Sequence, residues 1–370
     1  LNAAISSYQQ SIRVKPNHPQ SHYNLGNSFR EKGDLDAAIA SYQNALSLSP
    51  DYIDAHLNLS LGQLLTGDYE AGWDHYQWRL KMKDKEPHAQ PQTKQWEGKT
   101  LPSTEKLLIV SEQGLGDTMQ YMRYIPYLRQ QGIDVSFSAQ TNLHTLIKAS
   151  DIDSKPLSPE QANSVSEGTW LPLLSIPRYL GVNPQNPIVA EPYISPTEEL
   201  INKWKNILSL ETKPIIGINW QGNPKMEKKG YQGRSIPLET FSRILEGNDI
   251  KILSLQKGFG SEQLDNCSFK DSFVHCQEEI DKTWDFLENA AIIANCDLII
   301  TCDTSVAHLA GGMGKMVWLL LRNVPFWTWG METETTFWYP SMKLFRQKER
   351  HNWDEVMQRV ALDLIDKSPS

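Results

Sequence analysis

The chain has 370 residues, of which 39% are hydrophobic and 22% charged, and its formal net charge is -8. This composition is typical of an ordinary globular protein of two or three domains, and the acidic balance disfavours a nucleic-acid-binding surface. The longest apolar runs, such as residues 316–321, are much shorter than the roughly 20 residues needed to span a bilayer, and the N-terminus does not read as a signal peptide.

The N-terminal part of the chain repeats itself with a period of 34 residues. Small residues in the repeat would let two antiparallel helices approach, and aromatic residues would fill the space between them. This period resembles the tetratricopeptide repeat, and we assign residues 1–83 to it. Three sets of positions carry the period: Tyr8, Tyr42 and Tyr76; Ala4, Ala38 and Gly72; Pro16 and Pro50.

We make one prediction for each end of the repeat segment. The first residues read as the second helix of a repeat, so we expect the chain to be part of a longer array. The third unit is degenerate and carries Trp73 and Trp78, which predicts a last helix that docks onto the next domain.

Residues 84–104 contain prolines and polar groups without apolar periodicity, which predicts a linker. Beyond it, strands alternate with helices in two series, and this predicts two Rossmann-like lobes with parallel sheets, at residues 105–194 and 195–370. Strands are predicted at 107–110, 135–139, 215–220, 251–255, 298–301 and 317–321, and helices at 118–131, 200–208, 238–245, 283–294 and from 305 onward.

The strand at 298–301 ends in Asp303, Thr304 and Ser305, where a helix begins. Free backbone N–H groups at a helix start bind anions such as phosphate, and open parallel sheets bind ligands at the carboxyl ends of their strands. His308 lies one turn into this helix and can share that space. On these residues alone, a capped helix with a core histidine explains the pattern equally well.

Other loops after predicted strands supply further polar residues: Gln113, Gly114, Gly116 and Asp117 in the first lobe; Gln221, Asn223, Arg234, Gln256 and Lys257 in the second. The Gly114-x-Gly116 turn lacks the third glycine of a dinucleotide fingerprint, which favours a structural turn. The basic loop 225–234 reads as a lid over phosphates or as a solvated charge run, and the second reading is favoured for its lysines.

Several chemistries are disfavoured by the sequence. The nine histidines show no paired ligand spacing, so we predict no metal site. A Gly-x-Ser-x-Gly elbow is absent, which disfavours a serine hydrolase. The four cysteines have no CxxC spacing, which indicates reduced thiols in a cytoplasmic protein. Twelve tryptophans, four of them between residues 318 and 338, indicate either an aromatic core or a stacking platform.

Six ordered motifs carry a family resemblance: SEQGLGDT at 111–118, IGINWQGNP at 216–224, RSIPL at 234–238, SLQKG at 254–258, CDTSVAHLAG at 302–311 and WYPSMKLFRQ at 338–347. Together they resemble bacterial tetratricopeptide-repeat proteins fused to a glycosyltransferase domain. That domain is similar to the ADP-heptose:lipopolysaccharide heptosyltransferases, and its layout is similar to that of repeat-fused O-linked N-acetylglucosamine transferases. The resemblance runs over essentially the whole chain.

The resemblance implies an α/β fold of GT-B type behind an all-α repeat solenoid. It also implies inverting sugar transfer from a nucleotide-diphosphate donor without a bound metal or other cofactor. Asp117 would be the general base, Arg234 would contact the donor phosphates, and the 303–308 motif would hold the diphosphate. The sequence departs from the heptosyltransferase pattern because Ser305 replaces glycine and Arg234 replaces lysine, so a UDP, GDP or ADP donor stays open.

Two functions follow as hypotheses. The first is a glycosyltransferase whose repeats recruit a protein, peptide or saccharide acceptor. The second is a non-catalytic repeat scaffold with a vestigial nucleotide-binding domain. The position of Asp117 relative to Asp303 and Arg234 discriminates between them.

Overall fold

The structure is a computed structural model that describes residues 1–82, 86–102, 105–229 and 233–367. A helical segment comes first, and two α/β lobes with parallel sheets follow it. The fold class predicted from the sequence is therefore confirmed. No helix in the described ranges is both long and apolar enough to cross a membrane.

The helical segment repeats the same turn chemistry twice. Gly33 and Gly67 end their helices in the left-handed region, at φ 90° and 92°, which glycine adopts without steric cost. Asp34 and Asp68 follow and accept hydrogen bonds from the first turns of the next helices. The segment consists of α1 (Asn2–Val14), α2 (Pro19–Lys32), α3 (Leu35–Leu48), α4 (Ile53–Thr66), α5 (Tyr69–Tyr76) and a 3-10 helix, Gln77–Lys81.

Small residues allow close helix packing in this segment, as the repeat period predicted. Ala38 and Ala45 are buried. A Cβ on Gly26 would lie 2.5 Å from the Tyr42 ring, so only glycine lets α2 and α3 approach this closely.

The first lobe holds a parallel sheet in the order β1-β4-β2-β3. All four residues of its central strand β2 are buried, as expected for a parallel sheet with both faces covered. Its elements are β1 (Lys94–Gln95), β2 (Leu107–Val110), α6 (Leu115–Tyr121), α7 (Tyr124–Gln130), β3 (Val135–Ser138), a 3-10 helix at Thr141–Leu143, α8 (His144–Ala149), α9 (Pro159–Asn163), β4 (Thr169–Pro172), a 3-10 helix at Leu173–Ser175 and α10 (Ile176–Leu180).

Two predictions for the first lobe were wrong. The expected linker belongs to the lobe: β1 pairs with β4, and His88 N donates to Ser111 O at 2.9 Å. Residues 84, 85, 103 and 104 of that linker lie outside the described residues. The helix expected at 118–131 is two helices, α6 and α7. They separate at Met122 and Arg123, and the Arg123 guanidinium turns inward to donate to Trp338 O at 2.7 Å.

The second lobe holds a parallel sheet in the order β6-β5-β7-β8-β9. Its strands and the helix after β7 position the candidate site. The elements are α11 (Glu198–Ile207), β5 (Ile215–Asn219), α12 (Pro224–Lys229), β6 (Lys251–Ser254), α13 (Gln277–Asp281), α14 (Phe286–Ala294), β7 (Leu298–Cys302), α15 (Ser305–Gly312), β8 (Val317–Leu321), β9 (Met342–Arg346) and α16 (Trp353–Lys367), with 3-10 helices at Leu208–Leu210, Leu238–Leu245, Ser261–Asn266, Lys270–Ser272 and Trp327–Trp329.

Two elements of this lobe differ from their predictions, one in helix type and one in its starting residue. The segment 238–245 is helical as predicted, but with 3-10 geometry. Helix α14 starts at Phe286 instead of residue 283, because the Asp285 carboxylate accepts from the Leu287 and Glu288 N–H groups and caps it.

The last repeat helix docks onto both lobes, as the tryptophans of the third unit predicted. Trp73 Nε1 donates to Val182 O of the first lobe at 2.8 Å, and the Trp73 ring contacts Trp327 of the second at 5.2 Å between centroids. Trp327 is buried, as are the other tryptophans of that region, Trp318, Trp329 and Trp338. This aromatic group is therefore core and not a stacking platform.

Candidate functional site

Asn219 connects two neighbouring strands of the second sheet at their carboxyl ends. It lies opposite Thr301 across β5 and β7. Its Oδ1 accepts from Thr304 Oγ1 at 2.8 Å, and its Nδ2 donates to Gln256 Oε1 at 2.9 Å. Sequence analysis placed Asn219 in a strand and missed this role, although a polar residue closing an apolar strand is a usable signal.

Gln256 shapes the loop that follows β5. Its Oε1 accepts from the N–H groups of Trp220 and Gln221, at 3.2 and 2.9 Å, and its Nε2 donates to the carbonyls of Gln221 and Phe259. Because its buried amide is engaged with the backbone, we correct its predicted role: Gln256 holds the loop and does not offer its side chain to a ligand.

The other two polar residues of that loop also make local contacts. Gln221 Oε1 accepts from Gln263 Nε2 at 3.1 Å. Asn223 Oδ1 accepts from the Lys225 N–H at 3.0 Å, which forms a turn at the start of α12. In this conformation both side chains stabilise the loop that carries them.

The start of α15 lacks a side-chain cap. Thr304 is its N-cap residue, but the Thr304 hydroxyl donates to Asn219. Asp303, Thr304 and Ser305 are all partly exposed. The side-chain cap of the alternative interpretation is therefore absent, although its core histidine is present, since His308 is buried. The start of α15 lies at the carboxyl edge of the sheet, and helix starts of this kind favour anions.

Arg234 lies beside this helix start. Its Nη1 donates to Asp303 O at 3.2 Å, and only 17% of its side chain is exposed. A Cβ on Gly222 would lie 2.4 Å from Arg234 Nη2, so the guanidinium packs directly on the glycine backbone. Glu227 Oε1 lies 3.8 Å from Arg234 Nε. The structure thus brings Arg234 and Asp303 together, and their role toward a donor stays a prediction.

Burial and nearby cations act in opposite directions on Asp303. Burial raises the pKa of its carboxyl, whereas Arg234, a hydrogen bond from the Trp329 side chain, and Arg322 lower it. Arg322 directly follows β8 and was not identified from the sequence. In the basic loop, for which a lid and a solvated charge run were both considered, residues 230–232 lie outside the described residues.

Lys257 and two exposed aromatic side chains lie at the end of β6. The Lys257 ammonium donates to Ile280 O, and burial lowers its pKa to about 8, against the effect of Asp281. Trp284 is 66% exposed and Phe259 is 57% exposed. A Cβ on Gly258 would lie 3.7 Å from Trp284. Sequence analysis missed both rings, although a tryptophan in the polar stretch 281–285 is a recognisable signal.

The glycine-rich turn of the first lobe contains an unusual backbone angle. Gln113 has φ 61°, a left-handed conformation that is uncommon for residues other than glycine. Asp117 Oδ2 accepts from Gly114 N at 2.9 Å and so caps α6. The partly exposed Asp117 carboxylate also raises the pKa values of the Tyr76 and Tyr121 hydroxyls, though less than burial does.

The two lobes meet at Gly116. A Cβ there would lie 2.9 Å from His308 Cδ2 and 3.4 Å from Ser305 Cα. The turn of the first lobe therefore faces the start of α15, and the His308 ring packs closely against Gly116 at this point.

His308 is a buried, neutral side chain. Its Nδ1 is 2.8 Å from the Tyr339 hydroxyl, and its ring stacks on Trp329. Burial, together with Arg123, lowers its pKa to about 3. In this structure the His308 ring is therefore neutral near pH 7, and its predicted contact with the diphosphate stays a prediction.

The described residues contain no group of three or more His, Cys, Asp or Glu side chains that could hold a metal ion. Cys276, Cys296 and Cys302 are buried and Cys267 is partly buried, and all four are free thiols.

Comparisons with known proteins confirm the repeats. Residues 26–64 match a family model described as TPR repeat, and residues 7–40 match one described as Tetratricopeptide repeat. Protein FlbA of Caulobacter vibrioides is 27% identical over 180 residues, which are 48% of this chain and 30% of that protein. The match thus spans less than a third of that relative's length.

Three solved structures similar to this chain are transferases. A glycosyl transferase family 9 protein of Veillonella parvula is 12% identical, over 73% of this chain and 100% of that chain, with a TM-score of 0.47. ADP-heptose lps heptosyltransferase II of E. coli is 12% identical, over 72% and 100%, with a TM-score of 0.48. An O-GlcNAc transferase mutant of Thermobaculum terrenum is 11% identical, over 98% and 79%, with a TM-score of 0.31.

The chain therefore carries tetratricopeptide repeats, and an α/β region with two parallel sheets follows them.

Proposed function

We propose that this protein is a glycosyltransferase that moves a sugar from a nucleotide-diphosphate donor to an acceptor hydroxyl, with inversion and without a bound metal. One observation carries the proposal. The uncapped start of α15, with the Arg234 guanidinium beside it, lies at the carboxyl ends of parallel strands and faces the glycine-rich turn of the other lobe. The compartment that we propose for the protein is the cytoplasm.

The proposed chemistry follows from the placement of charge. Asp117 takes the proton of the acceptor hydroxyl, and the hydroxyl oxygen forms a bond to the anomeric carbon. The bond between that carbon and the phosphate oxygen breaks, and the nucleoside diphosphate leaves with the electron pair. Arg234 and the first-turn N–H groups of α15 stabilise the negative charge that develops on the leaving group.

Exposed aromatic side chains support a nucleotide donor. Trp284 and Phe259 offer apolar faces beside Lys257, where a base or sugar ring can stack. The rings alone do not select among UDP, GDP and ADP.

A cavity supports acceptor recruitment by the repeats. It has a volume of about 420 Å³ and lies between α5 and α10. Tyrosine rings and side chains of both charge signs line it, among them Tyr69, Glu70, Asp74, Arg178 and Tyr179. This volume lies within the roughly 300–1,000 Å³ of typical small-ligand sites, so a saccharide unit or a few peptide side chains would fit.

One observation favours the non-catalytic scaffold as a second candidate. The Asp117 carboxylate already accepts from Gly114, and Gly116 is in contact with α15. Transfer would then require the lobes to separate enough to admit both substrates.

Substitution of Asp117 separates the two candidates. Asp117→Asn keeps an oxygen that can accept from the Gly114 N–H, but this amide oxygen cannot act as a general base. We expect it to bind the donor normally and to lose transfer. Asp34→Asn changes a similar capping aspartate in the repeats and should leave transfer unchanged. Equal turnover in Asp117→Asn and the wild type would reject Asp117 as the base, and a wild type without transfer for any donor would favour the scaffold.

A further inference from the structure

The turn before α6 holds a conformation that its sequence disfavours. Gln113 has φ 61° although it carries a side chain. Such a conformation persists only where neighbouring groups hold it, and it is found most often at functional sites. The residues that contact Gln113 therefore decide whether the turn keeps its shape.

Two contacts to Gln113 come from outside the predicted α/β lobes. Gln113 Nε2 donates to the Tyr76 hydroxyl at 3.1 Å, and Tyr76 belongs to the last repeat helix. His88 Nε2 lies 3.0 Å from Gln113 O. A carbonyl only accepts, so Nε2 carries the hydrogen, and His88 Nδ1 accepts from Ser111 Oγ at 3.0 Å. The side chain and the carbonyl of Gln113 are thus both tethered.

A buried ion pair also holds this turn, at Glu112, the residue that precedes Gln113. Arg79 donates to both carboxylate oxygens of Glu112, at 2.9 and 2.6 Å, and neither side chain is exposed. Arg79 Nη1 also donates to Tyr76 O at 3.0 Å. Arg79 therefore fixes the distance between the end of the repeats and the residue that precedes Gln113.

The position of the turn at Gln113 determines how closely the first lobe packs against the start of α15 in the second lobe. Gly116 lies three residues after Gln113 and contacts His308 and the Ser305 backbone at the start of α15. A displacement of the turn would therefore shift Asp117 relative to the proposed diphosphate site.

We propose that Tyr76 and Arg79, at the end of the repeat segment, and His88, in the segment that follows it, are positioning residues of the active site. The end of the repeat segment is then a structural part of the transferase centre. This inference rests on the proposed function. Tyr76 is 3% exposed and Arg79 is fully buried, so both act through the turn and not on a ligand. The repeats would then shape the reaction centre in addition to recruiting an acceptor.

Removal of one hydroxyl tests the proposal. Tyr76→Phe keeps the ring that packs on Trp73 and Trp327 but removes the acceptor for Gln113. We expect kcat to fall about tenfold, because a small misplacement of reacting groups slows the chemical step. The donor KM should stay within about twofold, because the diphosphate site lies in the other lobe.

Tyr42→Phe is the matched control. It removes a buried hydroxyl of the repeats that donates to Asn27 Oδ1 at 2.8 Å, far along the chain from the turn. It should lose similar stability and keep kcat. Equal kcat values for Tyr76→Phe and Tyr42→Phe would overturn the proposal.

Amide hydrogen exchange gives a readout that needs no substrate. In Tyr76→Phe, exchange of the peptide covering residues 112–118 should be at least about fivefold faster than in Tyr42→Phe. Unchanged exchange there would also overturn the proposal. A wild type without transfer would reject the proposed function instead, and the exchange comparison would still decide whether Tyr76 holds the turn.

Discussion

At the scale of single residues, Arg234 is the cation that we propose contacts the donor phosphates. It is the cation whose hydrogen bond to Asp303 O places it beside the start of α15. Charge-assisted hydrogen bonds to phosphate are among the strongest in proteins, at about 1.5–3 kcal/mol each.

Arg234→Ala should therefore weaken nucleotide-diphosphate binding by about 10- to 100-fold, measured by calorimetry. Arg243 offers a matched control, because it is an arginine of the same lobe paired with Asp354 at the surface. Arg243→Ala should bind as the wild type does. Equal affinity for both variants would remove Arg234 from the site.

His308 gives a prediction about acid stability. Its pKa is about 3 in the folded protein and near 6.5 when unfolded. Between these values the unfolded chain binds a proton that the folded chain does not, so stability is present above pH 6.5 and is lost as the pH falls. From pH 8 to pH 5 the His308 contribution to the free energy of unfolding should fall by about 2 kcal/mol.

Urea unfolding of the wild type and His308→Asn at both pH values measures this difference. Asparagine can still bond Tyr339 but does not titrate, so the variant should lose about 2 kcal/mol less than the wild type on acidification. Parallel losses in the two proteins would show that His308 is accessible to protons in the folded state.

At the scale of elements, the loop after β5 and the start of α15 act as one unit. The Gly222 backbone supports the Arg234 guanidinium, and a Cβ at Gly222 would collide with it. Gly222→Ala should therefore displace the guanidinium and reduce nucleotide affinity, by at most as much as Arg234→Ala.

The double variant distinguishes this mechanism from two separate effects. If Gly222 acts only through Arg234, the two losses should not add, because both substitutions remove the same interaction. Additive losses in calorimetry would mean that Gly222 contacts the ligand itself or shapes a different part of the loop.

The helices and strands and their order along the chain were largely predictable from the sequence, but the hydrogen-bond partners of the side chains were not. The 34-residue period and the apolar runs gave the repeats and the strands, since both patterns follow from burial. At the split between α6 and α7, Arg123 bonds to Trp338, a residue far away in the chain. Similarly, the engaged amide of Gln256 and the low pKa of His308 depend on groups that only the fold brings near.

At the scale of the whole molecule, the repeats and the lobes share one core. Trp73 contacts both lobes, and Arg79 is paired with Glu112 without exposure to solvent. Removal of one partner of a buried ion pair leaves the other charge uncompensated, which costs about 3–5 kcal/mol.

Glu112→Gln should therefore lower the free energy of unfolding by about 3 kcal/mol in urea. Asp74→Asn removes the exposed pair with Arg178 across the same seam and should cost less than about 1 kcal/mol. Similar small losses for both variants would show that the buried pair is not what joins the repeats to the first lobe.

The central claim concerns where a nucleotide diphosphate binds. A thermal-shift panel of UDP, GDP and ADP first selects the nucleotide that stabilises the protein, because a ligand of the native state alone raises its apparent stability. A crystal structure with that nucleotide is then the most direct measurement. We predict phosphate oxygens within hydrogen-bond distance of the Ser305 N–H and the Arg234 guanidinium. Phosphates bound elsewhere on the protein, with the start of α15 empty, would contradict the account.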